Sequence, residues 1–280
     1  MNTLGIDRTH PFVANLLATR HYRTPHAPKP VCLATWRYYK GILTVIKDSS
    51  WIARNGQFSN QDWFDRAYYT IKTIERVGGT LEVTGLEHLA TQTGPVVVLA
   101  NHMSLLETFL FPALLIPFTP MCVVVKKELT ELPGFGKAMS AANHIAVSRT
   151  NPRDDFRVVM EQGTAFLKAG ISVLIFPQST RNSVFIPSEF NTLGEKLAAK
   201  AGVPVIPVAV KTDLHGNGRL LKEFGPVNAA SPVRVAFGPA IDPQKEGRLA
   251  HDKVIAFISD HLRSWGLPVQ ETPPAPKAAS

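Results

Sequence analysis

Several things are scarce in this sequence, and each scarcity narrows its function. Only two cysteines occur in 280 residues, Cys32 and Cys122, and there is no CxxC. That excludes a disulfide framework and any zinc site of ordinary spacing, and it fits a reduced, intracellular setting. The first twenty residues lack the long apolar core and cleavage site of a secretory leader. A clean membrane span is also missing. The stretch 108–125 carries no charge and reaches about the minimum spanning length, but Pro112, Pro117 and Pro120 interrupt it. A buried helix followed by a buried strand at Met121–Val125 is the expectation. Neither an internal repeat nor a long low-complexity segment appears.

What is present is an ordinary folded composition, 45% apolar and 19% charged. The formal net charge is +8 and the isoelectric point near 9.6. Such a balance favours anionic partners: phosphate-bearing substrates, anionic lipid surfaces or nucleic acid. No basic-helix or base-stacking motif accompanies it, so a nucleic-acid partner is not expected.

In chain order, residues 1–30 are polar and proline-spotted and predict a poorly ordered lead. Residues 31–47 predict a helix with Trp36, Tyr39, Leu43 and Ile46 on one face, flanked by Arg37, Lys40 and Lys47. That mixture suits a helix lying in a membrane interface, and equally one docked on its own core. A second helix is expected from Asn60, its N-cap, to Val77, with Gly78-Gly79 stopping it. Thereafter strands at 81–84, 96–100, 121–125, 144–147, 172–176, 205–210 and 233–237 alternate with helices. One helix opens on Asn151-Pro152, with Phe156, Val159, Met160, Phe166 and Leu167 on its expected buried face. Others are expected near 189–201 and 254–265. This alternation implies an α/β fold, with the site where loops converge at strand ends.

The stretch Asn101-His102-Met103-Ser104-Leu105-Leu106-Glu107 follows an apolar run and precedes another. A carboxylate beside an imidazole fixes its tautomer and stabilises the cation that forms, which makes a base. In one continuous helix, residues five apart point about 140° apart. The pairing therefore requires His102 on a turn and a helix starting near Ser104. A competing reading is a capping box, in which Glu107 bonds back to the Ser104 N–H. Over these seven residues alone the capping reading leads. Asn143-His144 repeats the Asn-His pair but has Arg149 at the offset of the acid.

Three further stretches shift the balance. They are Lys126-Lys127-Glu128-Leu129…Pro133-Gly134-Phe135-Gly136 with Arg149 beyond it, Phe176-Pro177-Gln178-Ser179-Thr180-Arg181, and Val203-Pro204-Val205-Ile206-Pro207-Val208. With the Asn-His-x4-acid stretch, and in this order, they resemble the glycerolipid acyltransferases, the lysophosphatidic acid acyltransferases and their relatives, over roughly residues 81 to 240. The family writes its first motif with aspartate where Glu107 stands, and its third as Phe-Pro-Glu-Gly-Thr-Arg. Here Gln178 replaces the glutamate, removing a charge, and Ser179 replaces the glycine.

The resemblance implies a largely parallel, mixed α/β sheet flanked by helices, preceded by N-terminal amphipathic helices. Composition and motifs together divide the chain into an expected lead (1–30), membrane-associating helices (31–80), an acyltransferase domain (81–266) and a flexible tail (267–280). The resemblance also implies acyl transfer from acyl-CoA or acyl carrier protein to the hydroxyl of a lysophospholipid, first of all 1-acyl-glycerol-3-phosphate, with His102 as base, Glu107 orienting it, and no cofactor or metal; the altered third motif leaves open another lyso-lipid acceptor or a non-catalytic lipid-binding relative. Lys126 or Lys127, Arg149 and Arg181 match the positions that hold the phosphate, and strand alternation points one of the two lysines inward. Gln178, Ser179 and Thr180 are expected against the acceptor headgroup. The expected location is peripheral, on the cytoplasmic face of a membrane.

Overall fold

The computed structural model describes residues 4–270 apart from 57, 133, 135, 179 and 217–224. The sequence also reads as a turn at Pro133-Gly134 and a Gly-rich loop over 213–219; Pro133, residues 217–219 of that loop and the tail beyond 270 lie outside the described residues.

The chain begins with helix α1 (Pro11–Thr19) and strand β1 (Tyr22–Arg23). Helices α2 (Ala34–Asn55) and α3 (Asn60–Arg76) follow, then β2 (Leu81–Thr84), α4 (Leu86–Ala90) and β3 (Val97–Ala100). Next come α5 (Leu106–Leu115), β4 (Met121–Lys126), α6 (Lys127–Glu131), α7 (Gly136–Ala141) and β5 (His144–Val147). The remainder is α8 (Pro152–Lys168), β6 (Ser172–Ile175), α9 (Leu193–Ala201), β7 (Val205–Lys211), β8 (Val233–Phe237), α10 (Pro243–Glu246) and α11 (Leu249–Ser264).

The strands form one mixed sheet in the order β1-β2-β8-β7-β3-β6-β4-β5. The five strands β7, β3, β6, β4 and β5 are mutually parallel, and β8 turns back antiparallel to β7. Their apolar residues are buried on both faces, which is why they read as unbroken aliphatic runs. On one face Val98, Ala100, Val208 and Val210 pack with α2, α3 and α5. On the other Val97, Leu99, Val173 and Val205 pack with α8, α9 and α11. The expected α/β class, a largely parallel sheet flanked by helices, is what the chain adopts.

Local chemistry accounts for the helix boundaries. Asn151 accepts from the Arg153 and Asp154 amides and Pro152 takes the first turn of α8, a cap worth about 1 kcal/mol. Ser59, not Asn60, caps α3, through a box with Asp62. Every residue of α5 except Thr108 is buried, as befits a helix apolar all round. Phe156 departs from its expected place: it lies exposed on α8 beneath the Lys196 ammonium (5.9 Å), while Val159, Met160 and Leu167 face the core.

The described part of the lead, residues 4–30, folds against the core, contrary to expectation. Phe12, Val13 and Leu16 of α1 are buried in the core that contains Phe64 and Ile71 of α3, and β1 extends the sheet edge against β2. Burial against distant aromatic residues offsets the cost of ordering this segment, which its polar, proline-spotted composition conceals. The sheet therefore begins before residue 81. Helix α2 divides the face read from sequence: Tyr39 and Ile46 pack on the core, whereas Trp36 and Leu43 are each 60% exposed.

Candidate active site

All five parallel strands end at the same rim of the sheet, and the loops that leave it carry the chemistry. Central β3 ends at Ala100. Asn101 continues its pairing through a side chain: Oδ1 accepts from the Val210 amide (2.8 Å) and Nδ2 donates to the Val210 carbonyl (2.9 Å). The chain then turns, and α5 starts only at Leu106. His102 therefore stands off the helix, as the five-residue spacing requires.

His102 Nδ1 donates to Glu107 Oε2 at 2.8 Å. The ring stacks on Phe176 with centroids 4.3 Å apart and planes at 22°. The acceptor on Nδ1 fixes the tautomer that leaves Nε2 basic. Glu107 is fully buried. It also takes the Met103 amide on Oε1 (3.1 Å) and the Ser104 amide on both oxygens (3.0 Å). The capping contact and the dyad thus coexist on one carboxylate, and the two readings of the sequence are not alternatives. Thr212 donates its hydroxyl to the same Oε1. Sequence reasoning stopped that strand at Val210 and missed Thr212, although it shares the parity of Val208 and Val210.

Gln178 has a partner within the protein. It is only 3% exposed, and its Oε1 accepts from the His102 amide at 2.8 Å. It therefore braces the backbone of the base, and its carbonyl oxygen is not available to a headgroup. The Asn182 amide donates to the His102 carbonyl (2.9 Å), which sets neighbouring Arg181 beside the dyad. Thr180 is exposed on this loop, and Ser179 lies outside the described residues.

The cations divide. Arg149 takes a left-handed backbone (φ 60°), held by Asp155, which accepts the Ser148 and Arg149 amides at 2.7 Å each. Desolvation and then the Arg181 charge hold its guanidinium below the ordinary value, opposed by Glu128 and Asp155. The two guanidinium groups thus lie close enough for one charge to act on the other. Lys126, at the end of β4, pairs with Glu128 (3.2 Å), which also feels Arg149. Lys127 points into solvent beside Glu131 (4.0 Å) and does not join the cluster. Cys122 supplies no nucleophile, because burial pushes its thiol up to about 12. Tyr38 of α2 is buried near enough to the dyad that, after burial itself and Tyr39, the Glu107 charge raises its phenol.

A family model described as Acyltransferase matches residues 80–211, which contain every element of this rim up to β7. The 1-acyl-sn-glycerol-3-phosphate acyltransferase of Pseudomonas aeruginosa is 32% identical over 209 residues, 75% of this chain and 75% of that protein. The enzyme of the same name from Escherichia coli is 30% identical over 123 residues, 44% of this chain and 49% of that one. The crystal structure of the 1-acyl-sn-glycerophosphate (LPA) acyltransferase from Thermotoga maritima shares the fold. Its TM-score is 0.60 at 21% identity, covering 84% of this chain and 95% of that chain. By the extent of the Pseudomonas match, this chain belongs to the glycerolipid acyltransferase family.

Proposed function

We propose that this protein moves a fatty acyl group from a thioester, acyl-CoA or acyl carrier protein, to the free hydroxyl of 1-acyl-sn-glycerol-3-phosphate. The observation that carries this reading is the His102–Glu107 dyad at the rim, held by the Asn182 amide next to Arg181, with Arg149 near enough to Arg181 to feel its charge. The acceptor hydroxyl gives its proton to His102 Nε2 as its oxygen bonds to the thioester carbonyl carbon. The carbon–sulfur bond then breaks, and the imidazolium returns the proton to the departing thiolate. Glu107 stabilises the imidazolium throughout. General-base help of this kind is typically worth about 10²–10⁴-fold. Arg149, Arg181 and Lys126 take the phosphate. The thioester is a co-substrate, and no further cofactor or metal enters the scheme.

A small apolar crevice of about 40 Å³ lies between α2, α3, α5 and α7, too small to hold an acyl chain as it stands. Val45, Trp63, Phe109 and Met139 line it, and it reaches Thr108, the neighbour of Glu107. The exposed side of α2 supports peripheral docking on the cytoplasmic face of a membrane. Leu33, Trp36, Leu43 and Trp51 are exposed there among Lys40, Lys47 and Arg54, and the Lys40 ammonium lies 5.1 Å from the Trp36 ring. No helix among the described residues is long and apolar enough to cross a bilayer.

The test is acyl transfer to 1-oleoyl-glycerol-3-phosphate from labelled oleoyl-CoA and from oleoyl acyl carrier protein, wild type against His102→Ala. Transfer by wild type and near-complete loss in the variant is the expected result. Equal rates in the two would refute the mechanism. Release of free fatty acid without acceptor dependence would make the protein a thioesterase instead.

A further inference from the structure

The donors around Glu107 differ in origin. The Met103 and Ser104 amides belong to the same turn as His102 and travel with it. Among the described residues, the Thr212 hydroxyl is the donor to this carboxylate that comes from elsewhere in the chain, 105 residues downstream. Thr212 itself is fully buried.

Its place follows from strand geometry. Ala100 of β3 pairs with Val208 of β7, and the Asn101 side chain pairs with the Val210 backbone. Two residues further on, at the same parity, Thr212 faces the α5 side of the sheet and meets Glu107. The backbone there is pinned from outside the site. Buried Lys211 donates to Asp213 and to Ser231 Oγ (2.6 Å), and Ser231 donates to Asp213 (2.9 Å).

We propose that Thr212 is a positioning residue for the His102–Glu107 dyad, locking the carboxylate to the end of β7 so that the imidazole is held to the sheet rather than to its own turn. The inference rests on the acyl-transfer reading. It assigns Thr212 no contact with substrate. A glutamate has three side-chain torsions, so a carboxylate held only by its own turn can pivot with that turn. The hydroxyl removes this freedom at the oxygen that does not meet the imidazole. Misplacement of a base by about an ångström costs up to about 10²-fold in rate.

The experiment is steady-state transfer by the full chain, wild type against Thr212→Val, Thr212→Ser and His102→Ala, with melting temperatures measured alongside. Valine keeps the shape and removes the donor; serine keeps the donor. The expected result is a kcat about 10–100-fold lower for Thr212→Val, KM values for both substrates within about twofold of wild type, and recovery in Thr212→Ser to within about threefold. A Thr212→Val enzyme with wild-type kcat, while His102→Ala is inactive, overturns the positioning role. So does a loss that serine fails to restore although Thr212→Ser melts like wild type, because the effect would then be one of packing. Equal activity of wild type and His102→Ala would instead remove the acyl-transfer reading beneath it.

Discussion

The His102 amide donates to a side chain, Gln178, in a place where little water enters. Removing that acceptor leaves a buried N–H without its bond, at a cost of about 1–3 kcal/mol. Gln178→Leu is therefore expected to lower kcat by about 10–100-fold, since it loosens the residue that carries the base. Gln178→Glu, which keeps an acceptor oxygen, is expected to retain more activity than leucine. Parallel kinetics and melting curves of the two variants check both statements. The dyad was legible in the sequence because both partners lie within one turn, where spacing alone fixes their geometry. Thr212 and the bond of Gln178 to His102 were not, because each serves an atom brought to it by the sheet. The sequence leaves open which of Lys126 and Lys127 turns inward; the structure turns Lys127 into solvent, one residue past the end of β4.

Among the elements, α2 presents two faces with different tasks. Tyr38, Ile42 and Val45 are buried against the core, and Trp36, Leu43 and Trp51 project outward. Replacing Trp36, Leu43 and Trp51 together with serine should leave the melting temperature nearly unchanged, as exposed substitutions do. Affinity for vesicles containing phosphatidylglycerol should fall tenfold or more, because interfacial binding scales with buried apolar area. Cosedimentation of the full chain reads this out, and unchanged partitioning would sink the membrane role of the helix. On the opposite face, α9 approaches β3 through Gly194, where an added Cβ would lie 2.1 Å from the Leu99 side chain. Gly194→Ala is expected to destabilise by about 1–3 kcal/mol, measured by denaturant unfolding. The long helices were readable from periodicity and caps. The short α1 was not, because Phe12 and Leu16 acquire their meaning only against Phe64, which no local pattern reveals.

The molecule as a whole carries a second imidazole–carboxylate pair, His251 of α11 with Glu195 of α9 at 2.7 Å, away from the rim. The hydrogen bond to Glu195 raises the His251 value above its ordinary 6.5, against the opposing effect of burial. A group raised in the folded state stabilises fully below its unfolded value, and that contribution fades as pH climbs through the folded one. The melting temperature of wild type should therefore exceed that of His251→Gln most near about pH 5.5–6, and the gap should narrow by about pH 9. Calorimetry across that range is the check; a gap that widens with pH would contradict the pairing. The rim is also scattered along the chain: the turn at His102 and Glu107, the brace at Gln178 and the donor at Thr212 meet only through β3, β6 and β7. This layout has a consequence in time. A chain synthesised at about 5–20 residues per second has its His102 and Glu107 in place roughly 5–20 s before Thr212 is even made. For that interval the carboxylate must pass through the start of folding with its own turn as its sole support. The carboxylate gains a donor from outside its own turn only when the residue just after β7, made 105 residues later, closes on it.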